Sequence, residues 1–138
     1  VSMYNDTVTV FNYYEDKKKS ICRWYPTVLH DVELQINHGI TVTTDGNAND
    51  NTASLHIRND LDKYLNPVAF KKAEDRENHF TLGQKDFFVE GELDLIVIEE
   101  DDYPNGFFEY IKSQYDNVFK ITTVERYKVI PHFEVGGK

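Results

Sequence analysis

Residues 7–13 interleave β-branched and aromatic side chains and run into the charged turn Glu15-Asp16-Lys17-Lys18-Lys19, which predicts a strand ending in an exposed loop. Two more strands are expected at 23–29 and 32–36. The second has period two, with Val32, Leu34 and Ile36 on one face and Glu33 and Gln35 on the other. Residues 40–44 read as a short β segment. The following Asp45-Gly46-Asn47-Ala48-Asn49-Asp50-Asn51 is almost pure turn chemistry and predicts a mobile loop. Ala53, Leu55 and Ile57 then alternate with Ser54, His56 and Arg58, as a third half-buried strand would.

The middle of the chain changes character. Asn66-Pro67 places a capping side chain ahead of a proline suited to the first helical position, so about two helical turns are expected through 68–74. Phe87-Phe88-Val89-Glu90-Gly91 reads as a strand stopped by glycine. Residues 93–98 are apolar and branched enough for a strand, with an irregular loop as the alternative because the acidic run 99–102 follows directly. Asp102-Tyr103-Pro104 can start a second short helix, with Phe107, Phe108, Tyr110 and Ile111 as its apolar stripe and Asp116-Asn117 as its end. Two final strands, 118–127 and 129–135, sit close enough to form a hairpin, with Pro131 suited to an edge. Together these elements predict a mainly β chain: a small β barrel or sandwich with one or two short inserted helices. Residues 1–138 are read as one β-rich domain with a partly helical insertion at about 59–86. Trp24, Phe87, Phe88, Tyr127 and Phe133 are the candidate core anchors.

Composition strengthens the β reading. Val, Ile, Thr, Tyr, Phe and Trp number 51 against 12 for Ala and Leu, which excludes a helical bundle. The 24 carboxylates outweigh 15 lysines and arginines, for a formal charge of −9, so general affinity for a nucleic-acid backbone would have to overcome repulsion. The single cysteine, Cys22, allows no internal disulfide and no cysteine-based zinc site, as in a reducing compartment. It is read as a buried structural thiol. The longest strongly apolar run, 95–98, falls far short of a membrane span, and neither an anchor nor an export signal is expected. The opening Val1-Ser2-Met3 reads as a cloning remnant before a native Met3.

Little in the chain points to catalysis. His30, His38, His56, His79 and His132 are scattered singly, without the i, i+4 pair of a metallohydrolase helix. Asp45, Asn47 and Asn49 fall at the one, three and five positions of a calcium loop, but Asp50 stands where glycine is needed and His56 where a bidentate glutamate belongs. The run Glu99, Glu100, Asp101 and Asp102, preceded by Glu90, Glu92 and Asp94, is the strongest charge feature. It reads as a solvated loop or as an interaction patch for a basic partner. The nine tyrosines and nine phenylalanines lack basic neighbours in a stripe and read as core and subunit packing. No catalytic residue, cofactor or metal site is assigned. Asp45, Asn47, Asn49, Glu99, Glu100, Asp101 and Asp102 are the candidate partner-contact residues.

Five segments in order carry a family resemblance. They are Thr7-Val8-Thr9-Val10-Phe11-Asn12, Trp24-Tyr25-Pro26-Thr27-Val28-Leu29 leading to Val32, and Leu55-His56-Ile57-Arg58, followed by Lys85-Asp86-Phe87-Phe88-Val89-Glu90-Gly91 and Ile130-Pro131-His132-Phe133-Glu134-Val135-Gly136-Gly137. This order resembles the small head-closure, or head-tail adaptor, proteins of tailed bacteriophages, and in particular a group of phage minor capsid proteins. The resemblance implies a small β barrel with long loops that packs as a ring between the portal-side connector and the tail proteins and helps retain packaged DNA. It implies a place in the virion, after a period in the host cytoplasm, with no enzymatic step, no sequence-specific nucleic-acid binding and no membrane. The long segment 60–85 and the helix near Pro104 depart from the simplest adaptor pattern and leave a tail-terminator role open. Exposed strand edges and loops would supply the ring contacts. Two other classes remain: an acidic regulatory module or DNA mimic acting on a host protein, and a metal-assisted enzyme using Asp or Glu with a lone histidine.

Overall fold

The computed structural model describes residues 4–43, 46–49 and 51–138. Strands β1 (Asp6–Asp16), β2 (Ile21–Asn37), β5 (Thr52–Ile57), β6 (Phe87–Glu90), β8 (Val118–Tyr127) and β9 (His132–Gly137) pair in the order β1-β6-β8-β9-β5-β2, and β2 returns to β1. Every pairing is antiparallel, and the ring is closed: a six-stranded barrel. The two-residue β7 (Ile98–Glu99) adds to the first half of β2 outside the ring. Closure gives each barrel strand a neighbour on both sides and leaves without a second partner strand only the stretches that overhang, such as 122–127 of β8 on the β6 side.

The expected strands at 23–29 and 32–36 are one strand of 17 residues. Its first half pairs with β1 and its second with β5, and it turns the corner at Asp31, whose φ of 56° accompanies a register shift between Asp6↔Val32 and Val8↔Leu29. A bulge bends a strand without ending it. The loop expected at 45–51 is also corrected. Gly46–Asn49 is strand β4, paired with β3 (Ile40–Thr43) in a separate hairpin, while Asp45 lies outside the described residues.

Tyr127, expected in the core, is 42% exposed. The strand β8 points Phe119 and Ile121 inward, then gains one residue against β9 between Ile121↔Gly137 and Thr123↔Gly136. That bulge flips the parity, so Val124 opposes the buried Val135 and Tyr127 faces out. The backbones crowd here. A Cβ on Gly136 would run into Thr123 Oγ1, and one on Gly137 would lie 2.8 Å from Phe119 Cβ. The last expected strand starts three residues late, at His132, because Val129, Ile130 and Pro131 form the exposed turn.

The barrel is filled by Val8, Val10, Leu29, Leu55, Ile57, Phe88, Phe119, Phe133 and their neighbours. Phe80 and Leu82, from the predicted insertion, join this core. Within that insertion, helix α1 (Pro67–Lys72) begins as expected, with Asn66 Oδ1 accepting the Ala69 N–H at 2.9 Å, and buries Phe70 edge-on against Tyr25 at 5.9 Å. A second core lies outside the barrel. Phe11, Trp24, Phe87 and Val89 face outward from β1, β2 and β6 and are covered by Leu93, Ile98 and helix α2 (Phe107–Gln114), through Phe107 and Ile111. Phe11 stacks on Phe87 at 4.8 Å and meets Phe107 edge-on at 5.2 Å. Strand β6 is thus buried on both faces. Cys22, expected to be buried, is only half-buried at the start of β2.

A buried polar clamp ties the two layers together. Asn12 donates to the Thr81 carbonyl at 2.6 Å and to Asp86 Oδ2 at 3.1 Å, and its Oδ1 accepts the Thr81 N–H. Asp86 Oδ1 accepts the Tyr13 N–H at 2.8 Å. Burial pushes the Asp86 carboxyl up to about 6, against the pull of these donors. The native state therefore holds a proton that the unfolded chain releases near 3.8, so the contribution is present below that pH and is lost as pH rises through about 6. Relative to Asp86→Asn, which carries only a pH-independent offset, wild-type unfolding free energy should fall by about 2 kcal/mol between about pH 4 and pH 7. Urea unfolding at stepped pH measures this difference, and a constant difference would contradict it.

Candidate functional site

Of the predicted contact residues, Glu99 ends β7 and Glu100, Asp101 and Asp102 follow it ahead of α2, and half of the four have internal partners. Glu99 sits opposite Arg23 in the β7–β2 ladder and binds its Nε at 2.6 Å, which raises the guanidinium further above its ordinary value. Glu100 Oε1 accepts the Phe107 N–H at 2.6 Å. The residue before α2 is Gly106, at φ 90°, which has no side chain to cap the helix, so Glu100 supplies the acceptor from a preceding 3₁₀ turn. Asp101 and Asp102 remain exposed. Asn47 and Asn49 lie on β4, whose hairpin with β3 is a separate two-stranded sheet, so among the described residues no ladder joins the two predicted contact regions.

Beside this acidic turn the chain exposes an apolar face that the sequence reading missed. Leu93 and Ile98 enter the outer core, but Leu95, Ile96 and Val97 between them are 42%, 85% and 36% exposed. The segment is irregular up to β7, the second of the two forms left open for it. Leu95 shares a groove of about 230 Å³ with Tyr103, Tyr110 and Tyr115. Tyr103 and Tyr110 pack ring to ring at 4.9 Å, and Tyr110 and Tyr115 remain exposed. Asp94, Asp101 and Asp102 are its exposed acidic neighbours in sequence. An apolar segment with a charged margin is chemically suited to excluding water against another protein.

A second cluster lies on the outer face of the barrel. Register places Glu33, His56, Glu134 and Glu125 in one row across β2, β5, β9 and β8. Glu134 meets His56 Nε2 at 3.4 Å through one oxygen and His132 Nε2 at 3.2 Å through the other. His132 Nδ1 lies 2.7 Å from the Ile130 carbonyl, and this bond, followed by the Glu134 carboxylate, raises the imidazole's proton affinity. Tyr127 stacks flat on His132 at 4.7 Å and donates to Glu125 at 2.7 Å, which pushes its hydroxyl up to about 12. Histidines far apart in sequence thus share one carboxylate. Outward parity of His56, His132 and Glu134 was readable, but the register that joins them was not. Among the described residues no group of three histidine, cysteine or acidic side chains is placed to hold a metal ion.

Because Glu100 is the acceptor at the start of α2, Glu100→Ala should cost about 1 kcal/mol in urea unfolding, while Glu100→Gln keeps an acceptor oxygen and most of that stability. Equal stability of the alanine variant and wild type would contradict this role.

No helix is long and apolar enough to cross a membrane among the described residues. Comparison with curated proteins finds no match, and comparison with solved structures finds none. A model of a family of unknown function, DUF6751, matches residues 3–138, and the chain belongs to that family.

Proposed function

We propose that this chain is a structural assembly protein of a virion, a head-closure or minor capsid component of the kind its segments resemble, acting in the neck of a tailed phage. The observation that carries this reading is the exposed apolar run Leu95, Ile96 and Val97, with Leu95 sharing a groove with Tyr110 and Tyr115. An isolated protein gains nothing from holding these side chains in water, whereas a neighbouring subunit or connector would bury them at roughly 25 cal/mol per Å². A ring forms when one patch of a subunit meets a different patch of the next. With its barrel edges closed, this chain would make that contact through its face and turns. A net charge of −9 suits a neighbour of packaged DNA that does not bind the backbone. The partners are the portal-side connector, the tail proteins and further copies of the chain, and the reading needs no cofactor and no bond-breaking step. The acidic-mimic reading has less support, since Glu99 and Glu100 are engaged within the fold.

Ile96→Asp tests the proposal, because this side chain is 85% exposed and its replacement should shift unfolding by no more than about 0.5 kcal/mol. In a phage lacking the gene, wild-type protein should restore tailed particles and be found in them, while the variant should restore few. Equal incorporation of both proteins, or absence of wild-type protein from purified particles, would contradict the assembly role.

A further inference from the structure

On another side of α2 lies a pocket of about 340 Å³ that shares no wall residue with the Leu95 groove. Its apolar walls are Tyr13, Trp24 and Phe108, and five charged side chains line it: Glu15, Glu100, Glu109, Lys85 and Lys120. The volume is at the small end of the range for ligand sites, and the mixture of aromatic walls with a few polar groups is typical of them.

The partners of these groups reveal what is missing. Each carboxylate has a neighbour within the fold. Glu100 accepts the Phe107 N–H at 2.6 Å, Glu109 pairs with Lys112 at 3.9 Å and Glu15 meets the Cys22 thiol at 3.9 Å. Burial and a hydrogen bond with Cys22 raise the Tyr13 hydroxyl, which keeps it neutral. The donors stand differently. Trp24 is only 5% exposed, and its indole N–H has no acceptor among the described residues, a state that costs about 1–3 kcal/mol. Lys85 Nζ lies 6.0 Å over the Tyr13 ring and Lys120 Nζ 5.5 Å over the Phe108 ring. Neither ammonium forms an ion pair among the described residues, in a chain whose carboxylates are in excess. The indole N–H is closed off behind the wall, so the groups that face the pocket without a charged partner are the two ammoniums, each beside an aromatic ring.

We propose that this pocket binds a carboxylate carried on an aromatic or other apolar body, with Lys85 and Lys120 holding the anion and Tyr13 and Phe108 packing on the body. A dianionic phosphate fits less well, because three carboxylates stand in the same wall. The carboxylate can belong to a free small molecule or to an acidic side chain beside an aromatic one in a peptide. This site is independent of the assembly reading, and either can fail without the other.

Trp24 is the only tryptophan in the chain, so its emission reports the pocket directly. The full chain is titrated with phenylacetate, with N-acetyl-Phe-Glu-amide, with phenyl phosphate and with phenethylamine as the cationic isostere. A saturable emission change with phenylacetate identifies a small-molecule site, and one confined to the peptide identifies a peptide site. Either supports the proposal if phenethylamine gives none and phenyl phosphate binds more weakly. The double variant Lys85→Gln, Lys120→Gln, made at exposed positions, should keep the wild-type unfolding midpoint and lose roughly tenfold or more in affinity. Absence of saturation by either carboxylate up to about 10 mM would overturn the site. So would equal binding of the amine or the phosphate, or unchanged affinity in the double variant.

Discussion

Pairing of β1 with β2 closes the sheet on itself, and the rest of the molecule depends on that closure. A six-stranded sheet with two open sides would expose rows of unpaired amides and carbonyls and invite pairing with other chains. Here β1 meets β2 on one side and β6 on the other, so the middle of the strand is paired on both sides within one chain. The Asn12–Asp86 clamp secures the same region from below, tying the segment that follows Phe80 to the middle of β1. Both of its members are buried, which makes the clamp an all-or-none feature: each lost bond would leave a polar group without water.

Closure also explains why a chain this short carries two cores. The barrel interior takes Phe88, while Phe87 and Val89, its immediate neighbours, point the other way and need their own cover. Helix α2 and the residues around β7 supply it. The outer layer therefore rests on the barrel, and Leu95, Tyr110 and Tyr115, which it leaves exposed, share a groove with Phe107 and Ile111.

Local chemistry was legible in the sequence wherever a pattern depends on neighbours along the chain. The alternation of Ala53, Leu55 and Ile57 marks a strand with one wet face, and Asn66-Pro67 marks the start of α1, because both signals act within a few residues. Where a bulge intervenes, the pattern misleads. Asp31 lets β2 continue through an apparent break, and the extra residue near Thr123 turns Tyr127 out of the core. The candidate site was less legible still. Glu99 and Glu100 looked like free charge because their partners, Arg23 and the Phe107 amide, are settled only by packing across strands and turns. Leu95, Ile96 and Val97 looked like part of a strand, since branched apolar residues fit one and nothing local shows that they lie in water.

The account rests on a closed, rigid barrel that presents one apolar face left bare in the free chain. Residue-resolved hydrogen exchange of the free protein tests both halves together. The amides of β6 and of the central part of β1 should exchange only through global unfolding, while those of 94–97 exchange close to the rate of an unstructured peptide. Protection of 94–97 as strong as that of β6 would mean that the face is already covered, and would contradict the account.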